Sequence, residues 1–139
     1  MLNLSVRDQP DLSSIEDNYK KPGGNFWIAL DDFNEVIGTI ALFNLGQNIG
    51  DLRKMFVKKE WRGKRLGVAD ALLKVLLDWC TENKYSKIYL ETTSAFAAAI
   101  KFYLKNGFTE VQQNELPNNF PIIKVAEFFF VYDICKMKH

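Results

Sequence analysis

The sequence predicts an α+β fold: a mixed, mostly antiparallel central sheet flanked by helices. Three observations predict it. Short apolar runs with strand-like patterning occur near both ends of the chain. Two amphipathic stretches with helical period lie between them. Asp, Asn and Gly clusters punctuate the runs. A length of 139 residues suits one core, so residues 1–139 are taken as a single domain.

Residues 1–25 read as an irregular N-terminal segment, so the N-terminal part of the fold is abbreviated. It is broken by Asp8-Gln9-Pro10-Asp11 and by Lys20-Lys21-Pro22-Gly23-Gly24. Leu12 to Tyr19 has room for one or two helical turns, capped by Asp11 or Ser13. The core, residues 26–135, opens with a strand at Phe26–Leu30. Asp31-Asp32-Phe33-Asn34 is turn chemistry, and a second strand from Val36 to Phe43 completes a hairpin. Leu45 to Gly50 reads as a Gly/Asn loop. In the next strand, Leu52–Val57, alternation puts Leu52, Lys54 and Phe56 on one face and Arg53, Met55 and Val57 on the other.

A basic, glycine-containing loop follows, and then a helix from Val68 to about Asn83. Leu72, Val75, Leu76 and Trp79 mark its apolar side; Asp70, Lys74 and Asp78 mark its wet side. Lys87–Thr92 is a short strand. Ser94 caps a helix running to Lys105, with an apolar stripe of Phe96, Ile100, Tyr103 and Leu104, and Asn106-Gly107 ends it. Phe108–Val111 starts a strand, Glu115–Pro121 is a loop, and Val125–Ile134 closes the sheet.

Composition excludes several functions. At 47% hydrophobic and 25% charged, the chain is ordinary for a soluble globular protein. A net charge of +1 argues against a nucleic-acid partner held by global charge. The only His is the last residue, and Cys80 and Cys135 have no ligand-spaced neighbours, so no metal is expected. No leader-like segment and no membrane-length apolar run is present, so we expect no membrane partner and a cytoplasmic location with reduced cysteines.

The chemistry concentrates in Leu52–Val57 and Trp61-Arg-Gly-Lys-Arg-Leu-Gly-Val68, a strand feeding a glycine loop and a helix start. Free N–H groups at a helix start carry partial positive charge and hold phosphate. Glycine lets backbone approach an anion closely. Seven basic residues against one acid lie between Arg53 and Arg65. The segment reads as a pyrophosphate cradle; a solvated basic turn is the plainer alternative.

Here the chain resembles the GNAT superfamily of N-acetyltransferases, whose acyl-CoA signature is Arg/Gln, two residues, Gly, one residue, Gly or Ala. Arg62 matches the first position and Gly67 the last; Arg65 stands at the middle glycine. A second similar segment is Ala99-Ile100-Lys101-Phe102-Tyr103-Leu104-Lys105-Asn106-Gly107-Phe108, with Phe96 where many members carry Asn. The resemblance covers about residues 26–135. It implies transfer of an acetyl group from acetyl-CoA to the primary amine of a small molecule or peptide. Cofactor contacts would come from Met55, Phe56 and Val57 and from Arg62, Gly63, Lys64, Arg65, Leu66, Gly67 and Val68. A backbone N–H near Phe56 or Val57 would polarise the acyl carbonyl. Tyr103 would protonate the departing thiolate, since a neutral phenol can donate.

Glu91 or Asp51 is the candidate base, although neither has a distinctive spacing; Asp133 is either a binding carboxylate or an outward-facing charge, and Lys54 either assists the cofactor or faces water. A non-catalytic acyl-CoA-binding or sensing module is the alternative, and a nucleotide- or nucleic-acid-binding domain using the basic loop with Trp61 and Phe56 as stacking platforms is a third reading. The open sheet edge offers a route to a homodimer. The amine acceptor is unspecified, although loop 114–121 is placed to shape its pocket.

Overall fold

The computed structural model describes residues 5–8, 19, 23–63, 66–123 and 125–137. The chain divides into two units: Met1–Asn44 with Leu52–Lys84, and Leu45–Asp51 with Tyr85–His139. The division passes through two strands, β3 (Val36–Gly46) and β4 (Ile49–Val57). Followed through its hydrogen-bonded neighbours, the strand order is β1-β2-β3-β4-β5-β7-β6. The pairing is mixed: β4 and β5 are parallel, while β1–β2, β2–β3, β5–β7 and β6–β7 are antiparallel.

In the first unit β1 (Ser5–Asp8) pairs with β2 (Asn25–Leu30), and β2 with β3. β1 lies within the segment expected to be irregular. Its sequence, Ser-Val-Arg-Asp, has one apolar residue and so no alternation to read. Its register is held by backbone bonding to β2. The helical turns expected over Leu12–Tyr19 fall, except for Tyr19, outside the described residues. The β2–β3 turn is the one expected: Asp31 Oδ1 accepts the N–H groups of Phe33 and Glu35, and Asn34 takes φ +61°.

α1 (Val68–Glu82) buries Val68, Leu72, Leu73, Leu76 and Cys80. It packs on β1 and β2, with Trp79 edge-on to Trp27 at 5.5 Å. Its outer side carries Asp70, Lys74 and Asp78, as expected, with Lys74 and Asp78 paired at 2.8 Å.

In the second unit the expected loop over Leu45–Gly50 is a two-residue turn. Gln47 and Asn48 have φ +55° and +65°, the double left-handed geometry that joins strands directly. β3 therefore runs three residues past Phe43, and β4 starts at Ile49. β5 (Lys87–Thr92) pairs along its whole length with β7 (Phe128–Asp133), and β7 carries β6 (Thr109–Val111).

Three further expectations fail in this unit. The closing strand starts at Phe128 rather than Val125, because Glu127 turns its N–H to Thr92 O and Val125 is exposed. Ser94 does not cap the helix: it opens a 3₁₀ turn, Ser94–Phe96, which Thr93 caps by accepting the Ala95 N–H on Oγ1, and α2, Ala97–Lys105, starts after Phe96 with no side-chain cap. Phe96 and Leu104 are exposed rather than core-facing, leaving Tyr103 as the buried residue of α2. A short helical turn, α3 (Ile134–Met137), ends the described chain.

Close approach of β3 to β4 and α1 depends on Gly38. A Cβ there would lie 2.9 Å from Phe56 O and 3.0 Å from Leu72 Cδ1. Gly38→Val is expected to cost about 1–3 kcal/mol by overpacking, read as a lowered urea midpoint at unchanged slope.

Candidate active site

In the first unit, β4 departs from a regular strand at Lys54, whose φ is +56°. The left-handed region is costly for a residue with a Cβ, and a single such residue breaks the side-chain alternation. The expected common face of Leu52, Lys54 and Phe56 is therefore not found. Leu52 is buried, while Lys54 and Phe56 are exposed. Thr39 Oγ1 donates to Lys54 O at 2.6 Å and fixes the distortion. The strand then delivers Met55 and Val57 half-buried and Phe56 half-exposed into the loop. Lys54 reshapes the end of β4, and the sequence does not announce it, since Lys has no preference for this geometry.

The loop is held at its start. Lys58 N–H donates to Ile37 O at 2.7 Å, a 3₁₀ turn covers Lys59–Trp61, and Arg62 Nε donates to Val57 O at 2.8 Å. One guanidinium donor thus ties the loop, and Arg62 remains exposed. Gly63 and Gly67 adopt φ +112° and +70°. A Cβ built on either would meet nothing within 4 Å, so the space beside both is open. Leu66 N–H bonds back to Gly63 O at 3.3 Å. Lys64 and Arg65 lie outside the described residues.

Gly67 is the N-cap of α1 and offers no side-chain cap. The first intrahelical bond is Ala71 N–H to Gly67 O. The preceding N–H groups therefore have no helical acceptor and face the loop, which suits an anion. Asp70, in the same turn, is exposed and is the one charge there that opposes an anion.

In the second unit the Tyr103 segment explains its own spacing. Phe108 N–H bonds to Tyr103 O at 3.0 Å and Gly107 N–H to Leu104 O at 3.4 Å, with Gly107 at φ +96°. This is a Schellman cap, completed by the Tyr103–Phe108 ring contact at 5.4 Å. Phe108 in turn meets Tyr132 at 5.3 Å. Tyr103 is 5% exposed, and burial pushes its phenol above the ordinary value of 10.0. Its hydroxyl bonds to no described residue. Among the described residues no enclosed side-chain oxygen or nitrogen lacks a partner, so this hydroxyl is reachable.

β5 separates two faces. Ile88 and Leu90, with Phe130 and Tyr132 of β7, share the Tyr103 side. Tyr89 and Glu91, with Phe129 and Val131, face the other way. Glu91 accepts the Ile123 N–H at 3.2 Å and so holds the segment before β7. Glu127 makes a second tie, accepting the Ser94 N–H and hydroxyl at 3.1 and 3.0 Å. Asp51, the other candidate base, is buried at 2% exposure on β4. Neither anchoring contact has a local sequence signal, since each joins residues more than thirty positions apart.

A profile described as Acetyltransferase (GNAT) family matches residues 3–108. The chain belongs to the GNAT acetyltransferase family. N-acetylaspartate synthetase of Xenopus tropicalis is 41% identical over 111 residues, which is 78% of this chain and 40% of that protein. The chain thus spans well under half the length of this relative. A GNAT-family acetyltransferase structure from Staphylococcus aureus Mu50 superposes with a TM-score of 0.89 at 30% identity, covering 95% of this chain and 99% of that one. A GNAT acetyltransferase from Elizabethkingia anophelis, solved with acetyl-CoA bound, shares the fold: TM-score 0.69, 16% identity, 94% and 98% coverage. Among the described residues no helix is long and apolar enough to cross a membrane.

Two tests address this geometry. Lys54→Gly should retain or raise stability, whereas Lys54→Val should lose about 1–2 kcal/mol, checked by urea denaturation. The raised Tyr103 value gives a pH test with a definite sign. Below pH about 10 the phenol is neutral in both states. Above that the unfolded chain releases the proton first, so stability falls with rising pH. Tyr103→Phe should flatten this alkaline loss by up to about 1.4 kcal/mol per pH unit.

Proposed function

We propose that the chain transfers an acetyl group from acetyl-CoA to a primary amine by direct attack. The observation that carries this reading is the uncapped start of α1 beside Gly63 and Gly67, an open backbone cradle for a diphosphate. Gly63, Leu66, Gly67 and Val68 supply its described backbone, and Arg62 adds a side-chain charge. Lys64 and Arg65 belong to the same loop by sequence. Met55, Phe56 and Val57 would pair with the pantetheine amides as an added strand. The Lys54 distortion reorients the N–H groups after it, which supports carbonyl polarisation by Phe56 or Val57. The acetyl-CoA in the Elizabethkingia neighbour agrees with this assignment.

A neutral amine attacks the thioester carbonyl carbon. The C–N bond forms, the C–S bond breaks, and the electron pair leaves with sulfur. Tyr103 is assigned as the acid: its hydroxyl gives its proton to the thiolate and regains one from solvent. The amine's surplus proton passes to solvent, with Glu91 as acceptor through water. Burial keeps Tyr103 protonated throughout the physiological range. It also makes the phenol a weaker acid, so a strong hydrogen bond to the leaving sulfur is the larger part of its role. The acceptor belongs to the small amines; the Xenopus relative is named for aspartate.

Free-thiol release from acetyl-CoA across a panel of amines tests the activity. Tyr103→Phe should slow turnover by about 10²-fold or more with CoA affinity retained. Turnover unchanged by Tyr103→Phe would remove the acid role. Calorimetry showing no acetyl-CoA or CoA binding by the folded chain would remove the whole reading.

A further inference from the structure

The second unit contains a cavity of about 600 Å³ on the Glu91 face of β5. It lies within the size range of small-molecule sites. Leu45, Ile49, Leu116 and the Tyr89 ring form its apolar floor. They belong to a packed cluster in which Tyr89 and Phe120 meet at 6.3 Å. Asn119 closes one wall by donating its side-chain amide to Leu45 O at 2.7 Å. The cavity is therefore held open by a side-chain tie across 74 residues of sequence.

Its polar groups are selective. Glu115 Oε1 accepts the Gln112 N–H at 2.7 Å, which orients the carboxylate and leaves Oε2 over. Tyr89 is 7% exposed, yet its hydroxyl bonds to no described residue and is not enclosed. Asn119 keeps its carbonyl oxygen as an acceptor. Among the described residues no Lys, Arg or His lines the cavity. A carboxylate entering it would meet Glu115 without a compensating cation, an unfavourable juxtaposition. An ammonium group on an apolar body would meet a carboxylate, a hydroxyl and a hydrophobic floor.

We infer that this cavity seats the acetyl acceptor, and that the acceptor is a primary amine with an apolar body and no carboxylate. The inference rests on the acetyl-transfer reading for the ligand's fate but not for its binding. It separates this chain from relatives named for an acidic amino acid.

The test is an amide-shift NMR titration of the full chain with three probes: 2-phenylethylamine, 3-phenylpropionate and aspartate. Phenylethylamine should give saturable shifts at Leu45–Ile49 and Leu116–Asn119; the two acids should not. Glu115→Lys alters an exposed side chain and should weaken the amine by about tenfold or more. Leu116→Trp, filling the floor, should abolish its binding. Phenylethylamine should then release CoA from acetyl-CoA faster than aspartate does.

Tighter binding of either acid at these amides, or an amine affinity indifferent to Glu115→Lys, overturns the inference. Bound amine without CoA release, in a chain that binds acetyl-CoA, overturns the acceptor assignment. A chain that does not bind acetyl-CoA overturns the proposed function instead, and the probe preferences then decide the cavity's chemistry separately.

Discussion

The second unit depends on the pairing of β5 with β7, six residues matched to six without interruption. Because side chains alternate along a strand, a continuous ladder sorts them strictly onto two faces. One face takes Ile88, Leu90, Phe130 and Tyr132, against which Phe108 and then Tyr103 pack. The other takes Tyr89, Glu91, Phe129 and Val131, of which Tyr89 lines the cavity and Glu91 anchors the segment before β7. A one-residue slip would exchange the two sets. It would put Glu91 against buried aromatic rings, where an unpaired charge is very costly. Register and the proposed proton chemistry are thus one constraint.

On the proposed reading the first unit meets a different demand, that of holding an anion with backbone rather than with charge. Exposed lysines and arginines contribute little each and are screened by salt. Oriented N–H groups at a helix start have no conformational freedom left to lose. The loop is preset by two ties: Arg62 Nε on Val57 O, and Lys58 N–H on Ile37 O. Arg62 therefore acts on geometry as well as charge. This accounts for an arginine at that position even where lysines are abundant nearby.

How much was legible follows from the range of each interaction. The cap at Gly107-Phe108 was legible because its bonds span five residues and its glycine is chemically required. The apolar side of α1 was legible by periodicity, as was the Asp31 turn by side-chain chemistry. β1 was not, because an edge strand held by backbone bonds needs no apolar pattern. The left-handed Lys54 was not, because its cause is a strand-to-strand bond from Thr39. The Gln47-Asn48 turn lacks the Asn-Gly signature and so read as a loop. The candidate site was legible in its glycine loop and in Tyr103. The cavity was foreshadowed only as a segment, 114–121, because Asn119–Leu45 and Glu91–Ile123 are long-range contacts without local pattern.

Glu91 carries two demands that interact. Its carboxylate receives a backbone N–H from Ile123, a charge-assisted bond about twice as strong as a neutral one. On the base reading, each turnover delivers a proton toward that same carboxylate. Protonation leaves a carbonyl oxygen to accept the N–H, so the tie weakens without vanishing. The segment from Pro121 to Glu127 is still held by Glu127 on Ser94 and by its own N–H on Thr92 O. The double anchoring makes chemical sense under this load. On that reading one carboxylate exchanges protons while the other, Glu127, keeps its hold on Ser94.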